Sequence, residues 1–201
     1  GAGAPRRRQP PLIRRAMIID AARELIAAQG AQTTTIRDIA AAANVAVGTV
    51  TYHFSGIAEV LAGVLEAEMA QFSAPVMQAA LDAPTGADGL AVLTDGLIAD
   101  GDRAAEHWKL WLDFWTLAAH QERYSAWQSQ VYRDLHSLVA GLFTRGAADG
   151  SLPAEAGLDA TGAERRAIEH IALMDGLVVQ TYQPGSRLRP AEARAILHDN
   201  V

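Results

Sequence analysis

The chain has 201 residues, half of them hydrophobic, a net charge of −6 and no cysteine. That length allows one or two compact domains with a sizeable core, and the missing cysteine excludes a disulfide framework, a thiolate metal site and a cysteine nucleophile. No apolar run approaches the roughly 20 residues of a membrane helix, so a cytoplasmic protein with no membrane partner is expected.

The charge is unevenly spread. Residues 1–56 hold seven arginines against Asp20, Glu24 and Asp38, a local charge of +4, which leaves −10 for the remainder. A basic end on an acidic body is the pattern of a chain that meets phosphate at one end. Ala4 to Pro11 reads APRRRQPP, too proline-rich and charged to pack, and residues 1–11 are expected to form a flexible basic arm. From Leu12 to Gln29, Ile13, Met17, Ala21, Leu25 and Ala28 recur at helical spacing, with Ile18, Ala22 and Ile26 beside them. Gly30 is a natural stop.

Thr33 to Phe54 contains two short helical patterns joined by a tight turn. Thr35 offers a cap for a helix over Ile36–Ala43, with Asp38 three residues later in capping-box position. Asn44 suits the left-handed conformation that ends a helix. Ala46 to Phe54 reads as a second helix whose leading residues, Val47, Gly48 and Thr49, are small enough for close approach to a ligand surface. In a helix-turn-helix this second helix enters the major groove. Thr35 and Arg37 then lie near phosphate, Thr49 and Thr51 reach bases, and Tyr52 and His53 meet the backbone. Arg6, Arg7 and Arg8 suit an adjacent minor groove. Val50 and Phe54 face inward.

The remaining pattern is helical throughout. Ile57 to about Ala80 reads as one helix with an apolar stripe, kinked or interrupted at Pro75. Asp82–Gly89 reads as a turn, followed by helices over Leu90–Ala99, Arg103–His120, Arg123–Ala148, Ala160–Tyr182 and Pro190–Asp199. The expected architecture is all-α: a helix-turn-helix DNA-binding domain over residues 12–56, and a helical remainder over 57–201 that pairs it with a second copy and controls it. Trp108, Trp111 and Trp115 share one helical face beside Phe114. With Met69, Phe72 and Met77 they allow two readings: ordinary core packing, the usual role of aromatics at helical spacing, or the lining of a cavity for a hydrophobic or quaternary-ammonium effector. Asp175, set in an apolar face, is a candidate partner for a cationic ligand, with an arginine pair or a solvent-facing dimer edge as alternatives. The two long C-terminal helices suit a homodimer interface, with Ile168, Ile171, Ala172, Gly176 and Val179 as its stripe. His107, His120, His136 and His170 have no ligand spacing, and no metal site is expected.

The run from Arg14 to Phe54 resembles the DNA-binding domain of the TetR family of regulators. The matching residues are Ala21-Ala22-Arg23-Glu24-Leu25-Ile26, Gly30, Thr34 to Ala40, Ala43, Val45, Gly48-Thr49-Val50 and Tyr52-His53-Phe54. Trp108 to Trp115 and Met174-Asp175-Gly176-Leu177 are similar to the regulatory domain of its BetI-like branch. The resemblance makes 57–201 a ligand-binding and dimerisation domain and implies a ligand-responsive transcriptional regulator, most often a repressor, that leaves double-stranded operator DNA when a small molecule binds. Three positions depart from the family pattern: Ala46 replaces a polar cap, Thr51 a tyrosine, and Ile57 a lysine. No glycine-rich phosphate loop, nucleophile elbow, HExxH or paired carboxylates stand out, so no enzyme activity and no cofactor are expected. The alternative reading is a helical adaptor that uses its basic end to hold an acidic protein.

Overall fold

The computed structural model describes residues 9–154 and 159–201. Among these the protein is all-helical, with ten α-helices and no strand. It divides into two compact units, Gly1–Ala67 and Glu68–Val201.

The first unit holds α1 (Pro11–Gln29), α2 (Ile36–Ala42), α3 (Val47–His53) and all but the last residue of α4 (Ile57–Glu68). Helix α1 opens on a proline in its first turn and stops at Gly30, φ 86°, the asymmetry expected of helix ends. Its buried row is Ile18, Ile19, Ala22 and Ile26, whereas Ile13 and Met17 from the expected stripe are exposed. Apolar residues surround this helix, so periodicity alone admits several faces, and packing selects the row that meets α2.

Helix α2 is set by a complete capping box. Thr35 Oγ1 accepts the Asp38 N–H at 3.1 Å, and Asp38 Oδ2 accepts the Thr35 N–H at 2.9 Å. These bonds also hold the Asp38 carboxyl below its ordinary pKa. Thr35→Ala is expected to destabilise this unit by about 1 kcal/mol, read as a lower unfolding midpoint; an unchanged midpoint would show the box to be dispensable. The turn after α2 places Asn44 at φ 55°, where an asparagine is tolerated better than most residues. Helix α3 follows with no side-chain cap at Ala46. Val50 and Phe54 are buried with Ile39, Val60, Val64 and Leu65, and the Arg15 guanidinium lies 4.9 Å over the Phe54 ring.

In the second unit the expected single helix to Ala80 is broken earlier than Pro75. A π-turn over Met69–Ser73 separates α4 from α5 (Ala74–Asp82), and the Ala74 N–H donates to Met69 O five residues back. Pro75 has no N–H to offer and its ring crowds the carbonyl four residues earlier. The wider turn just before it accommodates that clash.

Helix α6 (Gly86–Leu97) also begins earlier than expected, inside the predicted turn. Thr85 Oγ1 accepts the Asp88 N–H at 3.1 Å. Two further N–H groups of the first turn, on Gly86 and Ala87, donate to Asp149 Oδ2 at 2.8 Å and Ser151 Oγ at 3.1 Å. Arg145 donates to the carbonyls of Leu81, Ala83 and Pro84. The glycines and small residues of this segment look like loop in sequence, but partners more than 60 residues away supply the missing caps. The remaining elements are α7 (Asp102–Ala118), α8 (Glu122–Asp149), α9 (Ala160–Thr181) and α10 (Pro190–Asp199). Helix α8 packs against α6, α7 and α9, and its inner face, Val139, Leu142 and Phe143, is buried.

Candidate functional site

In the first unit, α3 displays its candidate residues to solvent. Tyr52 is 80% exposed and Val47 44%. Gly48 and Thr51 are exposed, while Thr49 and His53 are half-buried. The Gly48 Cα has open space beside it, which leaves room for a surface to approach the helix closely. Thr35 and Arg37 are exposed on α2. The face opposite is anchored by Val50 and Phe54, so the exposed residues are presented by a fixed helix. Arg6, Arg7 and Arg8 lie outside the described residues.

In the second unit the aromatic residues of α7 do form a cluster, and α8 completes it. Trp111 stacks on Trp127 with ring centroids 5.9 Å apart and planes 9° from parallel. Phe114 meets Trp111 edge-on at 5.7 Å, Trp127 at 5.1 Å and Tyr124 at 6.1 Å. Trp115 is 6.4 Å from Trp111. Phe114 is fully buried within the cluster, whereas Trp115 and Trp127 are half-buried. Trp127 was visible in the sequence as an apolar α8 position; its place beside Trp111 depends on how α7 and α8 pack. Trp108 points elsewhere: its Nε1–H donates to Leu97 O at 2.8 Å, and its ring meets His107.

Phe72 joins a different assembly. It stacks on His107 at 4.0 Å and lies under the Arg103 guanidinium at 5.0 Å. Arg103 donates two hydrogen bonds to the buried Glu68 carboxylate, at 2.8 and 3.1 Å, and His107 Nδ1 lies 2.8 Å from Glu68 Oε2. Arg103, His107, Trp111 and Trp115 recur every four residues on α7, so one helix face runs from this ionic cluster to the tryptophans. Sequence reasoning missed Glu68 and Arg103, because an acidic residue at the end of an amphipathic helix reads as solvated. Met69 and Met77 are half-buried.

Asp175 lies with the candidate interface residues. It accepts a 2.7 Å hydrogen bond from the Tyr132 hydroxyl. Burial pushes its carboxyl up to about 6, an effect the tyrosine partly offsets. Ser129, Tyr132, Arg133, His136, Ile168, Ile171, Ala172 and Asp175 line an open groove of about 410 Å³ between α8 and α9. Ile168, Ala172 and Gly176, one turn apart, are exposed. Ile171 faces inward and is buried, and Val179 is half-buried. Among the other histidines, His170 is buried and its pKa falls to about 4, chiefly through desolvation. Among the described residues no group of three or more acidic or histidine side chains is placed to hold a metal, and no helix is long and apolar enough to cross a membrane.

Two family models match the chain. Residues 18–64 match the bacterial regulatory proteins of the tetR family. Residues 87–201 match the C-terminal domain of BetI-type transcriptional repressors. The chain belongs to the TetR family of transcriptional regulators. Among its TetR-family relatives, the HTH-type transcriptional regulator BetI of Serratia proteamaculans is 30% identical over 94% of this chain and 91% of its own. The BetI of Burkholderia lata is 27% identical over 94% and 92%. Solved TetR-like structures share the fold. A putative transcriptional regulator from Saccharomonospora viridis, in complex with choline, superimposes with a TM-score of 0.81 at 22% identity, covering 92% of this chain and 93% of that one. A putative regulator from Pseudomonas aeruginosa PAO1 gives 0.74 at 24% identity, covering 96% and 90%.

Proposed function

We propose that this TetR-family protein is a homodimeric repressor that binds operator DNA through α3 and leaves it when a small quaternary-ammonium effector occupies the aromatic site of α7 and α8. In this reading residues 1–11 serve as a basic arm, 12–56 as the DNA-binding domain and 57–201 as the regulatory domain, whereas the compact units divide between Ala67 and Glu68, at the last residue of α4. Thr49 and Thr51 read bases, with Val47 and Gly48 close to the groove floor. Thr35, Arg37, Tyr52 and His53 hold the backbone, and Arg6, Arg7 and Arg8 enter the adjacent minor groove. The observation that carries the effector class is the tryptophan cluster of Trp111, Trp115 and Trp127. Aromatic ring faces attract a desolvated cation without demanding a hydrogen bond from it, and a solved relative of the same fold holds choline.

The face of Ile168, Ala172, Gly176 and Val179, with the groove beside it, supports pairing with a second copy, whose recognition helix then meets the next half-site. The effector acts by binding the state with weak operator affinity more tightly, and a coupling of about 1–3 kcal/mol lowers operator affinity several-fold to a hundredfold. The test is footprinting with the full chain on the DNA flanking its own gene. A protected two-fold-related site that fades as choline is added is expected. Binding without a protected sequence would sink the regulator reading, and a protected site indifferent to choline would sink the effector class.

A further inference from the structure

Helix α8 carries Tyr124, Gln128 and Tyr132 at successive four-residue steps, so the three share one face. Tyr124 packs against Phe114 of α7, and Tyr132 bonds Asp175 of α9. Gln128 lies between them on this face and follows the stacked Trp127 in sequence. Both tyrosines have their roles on this face filled, one in the aromatic cluster and one on a carboxylate. The Gln128 Oε1 is buried and accepts no hydrogen bond. A buried amide oxygen left in that state loses solvation that nothing in the protein returns. Tyr124, one turn before Gln128, packs on Phe114, which in turn meets Trp111 and Trp127; a neutral acceptor one turn from such a cluster suits a cation with an attached hydroxyl, the rings taking the alkylated head and the amide oxygen the O–H.

We infer that Gln128 is the polar anchor of the effector site, accepting a hydrogen bond from the hydroxyl of a small quaternary ammonium ion and selecting hydroxylated cations over purely alkylated ones. This rests on the proposed effector class and adds to it the residue that sets selectivity. The amide carries no charge, so it contributes direction and leaves cation attraction to the rings. A ligand without the donor leaves the oxygen as it is and gains nothing from it.

The experiment pairs removal of the donor with removal of the acceptor. All four tryptophans of the chain, Trp108, Trp111, Trp115 and Trp127, lie on α7 and α8, so intrinsic fluorescence of the full-length protein reports on this region. Choline and ethyltrimethylammonium, which lacks the hydroxyl, are titrated into wild type, Gln128→Met and Gln128→Glu. Wild type is expected to bind choline roughly tenfold more tightly than ethyltrimethylammonium. Gln128→Met, similar in shape and without the acceptor, should erase that preference by weakening choline alone. Gln128→Glu restores an acceptor and should keep it. A Gln128→Met protein that still prefers choline, or that loses both cations equally, overturns the anchor while leaving the effector class standing. Wild type that binds neither cation overturns the effector class itself.

Discussion

Glu68→Ala is expected to lower the stability of the Glu68–Val201 unit by about 3 kcal/mol, the lower end of the cost of breaking a buried ion pair. The Glu68 side chain is 1% exposed and is the acceptor for both Arg103 nitrogens and for His107 Nδ1. Truncation removes every one of those bonds at once. His107, whose side chain is equally buried, then loses its 2.8 Å carboxylate neighbour. Arg103 is 43% exposed at its side chain and recovers part of its solvation, which is why the lower end applies. Glu68→Gln keeps acceptor capacity without the charge and should cost less, about 1–2 kcal/mol. Denaturant unfolding followed by tryptophan fluorescence measures both. A shift in midpoint with constant slope is the expected form, and a loss under about 1 kcal/mol for Glu68→Ala would show that the cluster adds nothing net. Arg103 and His107 share the α7 face of Trp111.

The second large effect is expected at Gly86. A Cβ there would lie 2.2 Å from Gly146 N, 2.4 Å from Gly146 Cα and 2.5 Å from Leu142 O. All three are backbone atoms of α8, so no rotamer change relieves the contact. Helix α6 must move away, and its first-turn bonds to Asp149 and Ser151 stretch with it. Gly86→Ala should cost about 3 kcal/mol, the upper part of the range for overpacking. That lowers the melting temperature by roughly 6–12 °C for a unit of this size. Gly141 is the control. It also lies in a helix, but a Cβ there meets nothing within 4 Å, so Gly141→Ala should gain up to about 1 kcal/mol from helix propensity. Equal effects from the two substitutions would refute the close approach of α6 to α8.

Much of the fold was legible because its determinants are local. Thr35 and Asp38 are three residues apart and their capping box needs no other part of the chain. Asn44 marks the turn by its own backbone preference, and Val50 and Phe54 declare the inner side of α3 by their spacing. The DNA-binding candidates on α3 follow from the same spacing, since the exposed face of a short helix is the complement of its buried one. The start of α6 was misjudged for the opposite reason. Two of its first-turn N–H groups are capped by Asp149 and Ser151, and Gly86 is required by the backbone of α8; neither leaves a trace within a short window. Sequence puts the break before α5 at Pro75, while the relief of its clash lies in the preceding turn, Met69–Ser73.

The candidate effector site divides in the same way. Composition and periodicity alone determine an all-helical chain with a basic end and put Trp108, Trp111 and Trp115 of α7 on one face, while the resemblance of Arg14 to Phe54 to the TetR family makes it a regulator. Only the tertiary structure decided which of them meet: Trp111 and Trp115 join Trp127, Trp108 turns to Leu97, Phe72 pairs with Arg103 and His107, and Asp175 lies with the candidate interface. The physical reason is that helix formation and capping depend on groups within a few residues of each other. The neighbours of a buried ring, carboxylate or amide are instead chosen by packing between helices distant in sequence.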